Sequence, residues 1–122
     1  MSQGTRHWPV EIRLKKADKV LEIDFDDGTS FKLPAEYLRV ESPSAEVKGH
    51  TPSQRQIVPG CRDVGILEVE PVGNYAVRLK FDDLHDTGIY TWNYLYELGS
   101  DYEARWRQYL DALAARGLSR EP

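Results

Sequence analysis

Three stretches near the start of the chain alternate apolar and polar residues with a period of two, and they leave little choice of fold. Val10, Ile12 and Leu14 are interleaved with Glu11, Arg13 and Lys15. Leu21, Ile23 and Phe25 are interleaved with Glu22 and Asp24, and Phe31 and Leu33 follow. Successive side chains of a strand point to opposite faces, so each stretch can bury one face and wet the other. Lys16-Ala17-Asp18-Lys19 is a polar turn. Asp26-Asp27-Gly28-Thr29 is a stronger one, because Asp-Gly tolerates the positive φ of tight hairpins. The pattern predicts a three-strand meander.

Pro34 suits the first turn of a helix, where its missing N–H is harmless, and a short helix is expected over Ala35 to Val40, ended before Ser42-Pro43. Pro43, Pro52 and Pro59 punctuate a long loop from Ser44 to Pro59, with a brief strand at Gln56-Ile57-Val58. A second hairpin is expected from Gly65 to Asp82, turning on the two residues Gly73-Asn74. Its polar faces carry opposite charges, so Glu70 opposite Arg78 favours one register. Gly88 to Thr91 reads as a last short strand. Trp92 to Leu98 reads as a helix ended by Gly99. Ser100-Asp101-Tyr102-Glu103 has the spacing of a capping box and opens a helix to about Arg116. Its apolar stripe is Tyr102, Trp106, Leu110 and Leu113, with Tyr109 adjacent.

The fold class expected is therefore α+β: a small antiparallel or mixed sheet from two hairpins, a short helix after strand three, and C-terminal helices packed on it. The 122 residues fit one domain over 9–117, with tails at 1–8 and 118–122. Apolar residues are 40% and charged residues 30%, which argues against disorder. The net charge of -4 argues against a nucleic-acid or anionic-membrane partner, since phosphate binding needs clustered positive charge. One cysteine, Cys61, rules out an intramolecular disulfide and fits a reducing compartment. With no apolar signal core and no run near the ~20 residues of a membrane helix, the expected location is cytoplasmic.

Four segments, in order, carry a family resemblance. They are Leu21-Glu22-Ile23-Asp24-Phe25-Asp26-Asp27-Gly28, Leu33-Pro34-Ala35-Glu36-Tyr37-Leu38-Arg39, Ser42-Pro43-Ser44-Ala45-Glu46-Val47 with Gly49-His50, and His85-Asp86-Thr87-Gly88-Ile89-Tyr90-Thr91-Trp92. Over about Pro9 to Gly99 the chain resembles the gamma-butyrobetaine hydroxylase-like N-terminal domain, in its free-standing bacterial form. The resemblance implies a domain that elsewhere precedes an oxygenase domain and holds a structural zinc, or is attached to P-loop ATPases carrying iron–sulfur clusters. It implies zinc ligands at three cysteine positions, which here are Ser42, Ser44 and Val47, and a histidine near His85. Neutral serine is a poor zinc ligand and valine is none, and structural sites use four ligands.

The oxygenase chemistry is not expected here. A facial triad needs two His and a carboxylate, and none of the three histidines opens such a motif. No Gly-x-Ser-x-Gly, Walker loop or Gly-x-Gly-x-x-Gly is present. Cys61 reads as a small half-buried thiol, and one cysteine falls short of the four usual for an iron–sulfur cluster. The chain is expected not to be an enzyme. The expected function is an accessory or protein-binding module linked to iron–sulfur or other metal-dependent proteins, with Arg39, Glu46, His50 and Trp92 as partner-binding candidates. The alternative is an iron- or zinc-binding protein using His85 with Asp83, Asp86 and His50, because mixed His and carboxylate ligands suit these metals.

Overall fold

The computed structural model describes residues 5–44 and 57–122. β1 (Pro9–Lys15), β2 (Val20–Phe25) and β3 (Ser30–Pro34) form one antiparallel sheet in that order. β4 (Ile66–Val72), β5 (Ala76–Phe81) and β6 (Ile89–Thr91) form a second. α1 (Ala35–Val40) follows β3, and α2 (Trp92–Ser100) and α3 (Tyr102–Ala115) close the chain. The expected single sheet is thus two three-stranded antiparallel sheets. The α+β class, the short helix after strand three and the C-terminal helices are as expected.

The core is where the alternation puts it. Leu21, Ile23 and Phe25 of β2 are buried, as are Leu33 of β3 and Val77, Leu79 and Phe81 of β5. Each such side chain contributes about 1.5–3 kcal/mol relative to exposure. Glu70 stands opposite Arg78, and an arginine nitrogen lies 2.6 Å from the carboxylate. That register pairs Val72 with Ala76, so the turn has three residues, 73–75, and not two. Gly73 takes φ +54 there, and Tyr75 leaves the buried face, 46% exposed.

Both edge strands β1 and β4 are irregular near their starts, with Val10 and Leu67 falling between the paired residues of each shift. An extra residue of this kind bends an edge strand and re-aims a side chain. Both are exposed, Val10 at 71% and Leu67 at 52%.

Two helix signals resolve differently from expectation. Gly99 does not end α2, which runs on through Ser100. A Cβ at Gly99 would lie 2.4 Å from the Phe31 ring, so glycine lets α2 press onto β3. Asp101 caps the C-terminus of α2 and the N-terminus of α3 at once, in a near-helical conformation with no side-chain cap bond. A capping box needs an extended N-cap residue, and a one-residue junction has no room for it. The buried residues of α3 are Tyr109 and Leu113. Tyr102 and Trp106 pack against the core, while Leu110 is exposed. Spacings of four, three and four from Tyr102 to Leu113 keep one face, and Leu110 lies a step around the helix. Ile57 and Val58 are not in a strand, and Gln56 lies outside the described residues.

Residues expected in tails also pack. The His7 ring stacks on Tyr96 at 3.6 Å. At the other end Gly117 adopts φ +66 and turns the chain back from α3. Leu118 N donates to Leu113 O at 2.9 Å, satisfying a carbonyl of the last helical turn.

Helix ends elsewhere are finished by tyrosines. Tyr90 donates its hydroxyl to Leu38 O, Tyr94 to Glu41 O at 2.6 Å, and Tyr37 to Leu98 O at 2.6 Å. Terminal carbonyls of a helix lack intrahelical partners, and these hydroxyls supply them. Burial pushes the Tyr37 and Tyr90 pKa values up, so both stay protonated donors. Among the described residues no helix is long and apolar enough to cross a membrane.

Candidate functional site

The loop between β5 and β6 is held by backbone and side-chain hydrogen bonds on both of its sides. Phe81 N donates to His85 O at 3.0 Å, and Leu84 N donates to Phe81 O at 3.1 Å. Asp83 accepts His85 N at 3.1 Å on one oxygen and Arg39 Nε at 2.8 Å on the other. The His85 side chain turns inward and is buried, with Nε2 2.9 Å from Ser42 Oγ. Ser42, fully buried just after α1, needs the absence of a side chain at Gly88, since a Cβ there would lie 2.5 Å from its Oγ. The Gly of His85-Asp86-Thr87-Gly88 therefore serves close packing.

These anchors hold out Leu84. Its φ is +76, in the left-handed region that L-residues avoid, and it is 86% exposed. Sequence reading missed it. Its one signal was a leucine between Asp83 and His85 in a polar turn, where an apolar side chain has nothing to bury against.

The fold does bring together Ser42 and His85, two of the positions that the resemblance gives to zinc. Their chemistry does not fit the metal. A neutral hydroxyl replaces a thiolate, and hydroxyl and imidazole satisfy each other. Asp83 is taken up by Arg39 and the His85 amide. Asp86 is exposed, and its charge is felt at Arg78. His50 lies outside the described residues. Among the described residues no three His, Cys, Asp or Glu side chains converge to hold a metal ion. The Cys61 thiol is buried 3.6 Å from Pro59 O, and burial raises its pKa, which disfavours the nucleophilic thiolate.

Of the partner-binding candidates, Glu46 and His50 lie outside the described residues. Arg39 is mostly buried, its side chain 14% exposed and pinned to Asp83, so it orders the loop from within. Trp92 is buried, with its indole N–H on Asn74 O at 2.9 Å. It lines a groove of about 490 Å³ between the two sheets, with Ile12 and Leu14 on one side and Val69, Pro71 and Val77 on the other.

The chain is similar to two proteins with NMR solution structures. One is 48% identical with a TM-score of 0.82, over 95% of this chain and 91% of that one. The other is 46% identical with a TM-score of 0.84, over 100% and 91%. A crystal structure of a protein of unknown function in the DUF971 family, from Acidithiobacillus ferrooxidans, is 46% identical with a TM-score of 0.63, over 75% and 91%. No functionally curated protein is detectably similar. The sequence model described as "Gamma-butyrobetaine hydroxylase-like, N-terminal" matches residues 12–96, a span that contains α1, the Ser42–His85 contact and the Leu84 loop. The chain therefore belongs to the gamma-butyrobetaine hydroxylase-like N-terminal domain family.

Proposed function

We propose that the chain is a non-enzymatic accessory module that binds another protein, and that the β5–β6 loop is its contact surface. The observation that carries this reading is Leu84. A leucine 86% exposed buries almost nothing, and its left-handed backbone costs about 1–2 kcal/mol. Asp83, His85, Ser42 and Arg39 nevertheless fix the loop on both sides of it. Backbone strain maintained by surrounding structure is a mark of functional positions. A rigidly held apolar side chain suits insertion into an apolar pocket, because little ordering entropy remains to be lost on binding.

The partner class we favour is an iron–sulfur or other metal-dependent protein. Support comes from the resemblance, in which such domains accompany an oxygenase or a cluster-carrying ATPase, and this is analogy of context. The cytoplasm is the location we favour, on the single cysteine and acidic composition. An iron or zinc site at His85, with Asp83, Asp86 and His50, has weaker support, because the groups described there already bond one another.

The test is a photo-crosslinking amino acid placed at position 84 and, as a control, at exposed Glu103 on α3. A discrete protein adduct from position 84, absent from position 103, supports the reading. No adduct at 84 refutes it. Elemental analysis of the same protein, purified without chelator, checks the alternative: about one iron or zinc per chain, lost in His85→Ala, would replace this reading with a metal site.

A further inference from the structure

We propose that the surface beneath residues 119–121 is a recognition site for a bent peptide bearing an arginine followed by an acidic residue, and that this chain's own segment occupies it in cis. The proposal does not rest on the reading of the Leu84 loop.

The docked segment makes contacts of the kind that a bound peptide makes. Its backbone accepts two hydrogen bonds: Gly60 N donates to Ser119 O and Arg62 N to Arg120 O, each at 3.0 Å. The two acceptors are consecutive carbonyls, so the segment bends over the loop 60–62 rather than adding a strand to a sheet. The specificity element is Arg120. Its Nε and Nη2 donate to the two oxygens of Glu36 at 2.7 Å each, a bidentate fork. Its guanidinium lies 5.4 Å from the centre of the Trp106 ring, within cation–π range. Glu36 is 7% exposed at the start of α1, so the receiving carboxylate belongs to the fold. Glu121 pairs with Arg62 at the rim. The segment passes close over Gly60, where an added Cβ would lie 3.5 Å from Pro122 Cα.

Three elements build the receiver: α1 gives Glu36, α3 gives Trp106, and the loop 60–62 gives the two amides. The occupant is launched by the Gly117 turn and tethered to α3. A tether this short holds it at an effective concentration on the order of millimolar. A partner peptide therefore has to outcompete the resident segment, which makes the segment a built-in competitor.

The Gly60 and Arg62 amides report on occupancy, because each donates to the segment. In Arg120→Ala, both amides are expected to exchange with deuterium at least about tenfold faster than in the wild type, following the open population. A synthetic peptide with the sequence of residues 117–122, at a few times the effective concentration of about 1 mM, is expected to restore protection. The same peptide with alanine at its arginine is expected not to. An unchanged rate in Arg120→Ala would show that the segment does not close the site. A fast rate with no protection by peptide would show a tail held only by its tether. Either result overturns the proposal. If Arg120→Ala does not fold, Arg120→Lys keeps the charge and loses the fork. Its two amides are expected to exchange at an intermediate rate and to respond to the peptide, and failure on either count is equally fatal.

Discussion

Replacing Leu84 by glycine and by alanine separates backbone strain from side-chain function. Neither change removes much packing, because Leu84 is 86% exposed. Alanine keeps the cost of φ +76, about 1–2 kcal/mol for an L-residue in the left-handed region. Glycine relieves that cost but loses about 0.5–1 kcal/mol more backbone entropy on folding. The difference leaves Leu84→Gly about 0.5–1 kcal/mol more stable than Leu84→Ala. For a domain of this size that is a Tm higher by roughly 2–5 °C. Urea unfolding of both variants, with equal m-values, measures the difference. At the same time both variants are expected to lose the partner that crosslinks from position 84. A Leu84→Ala protein as stable as Leu84→Gly, or more so, would refute the claim that the loop stores strain. Retained partner binding in both would refute the claim that Leu84 is the contact.

Other outcomes follow from the same contacts. Gly99→Ala puts a methyl against the Phe31 ring and is expected to cost about 1–3 kcal/mol by overpacking; combining it with Phe31→Leu should cost less than the sum of the two single changes in thermal unfolding. His85→Ala removes the partner of buried Ser42 and is expected to cost about 1–3 kcal/mol, with the metal content of the purified protein unchanged by mass spectrometry. Hydrogen bonds from Arg13 hold the Glu22 and Asp24 carboxyls below their ordinary values of 4.5 and 3.8, and Arg78 does the same for Glu70. A folded pKa below the unfolded one stabilises above the unfolded value and is lost as pH falls through the folded one. The urea midpoint should therefore drop between about pH 5 and about pH 2, and drop less steeply in Arg13→Ala.

The strands were legible because a period of two is a local signal that needs no knowledge of the partner sheet. The Glu70–Arg78 pair was legible too, and it fixes the length of its turn: that pairing places three residues between Val72 and Ala76. The turn misread as Gly73-Asn74 shows a dipeptide rule yielding to the strand register, which the buried residues Val77, Leu79 and Phe81 hold and the Glu70–Arg78 pair reports. What the sequence concealed was tertiary. Gly99 looks like a helix stop and is a contact with Phe31, 68 residues earlier. Gly88 looks like a turn residue and makes room for Ser42. Leu110 fits a helical stripe as well as Tyr109 does, until the position of the core is known. The site was legible only as a family motif. His85 and Ser42 are adjacent as that motif implies, while the strain at Leu84 is a backbone angle that the residue's place in a polar turn does not specify.

The tyrosine hydroxyls that finish the helices also make α1 depend on residues far along the chain. The bonds from Tyr90 to Leu38, Tyr94 to Glu41 and Tyr37 to Leu98 span 52, 53 and 61 residues. α1 has six residues, too few to persist alone when isolated helices shorter than ~12–15 residues are marginal. Tyr37 O and Arg39 O have local partners in Glu41 N and Ser42 N, but Leu38 O and Glu41 O meet their tyrosines only once β6 and α2 are in place. A fragment that stops before Tyr90 is therefore expected to hold α1 less firmly, with Leu38 O and Glu41 O left to water.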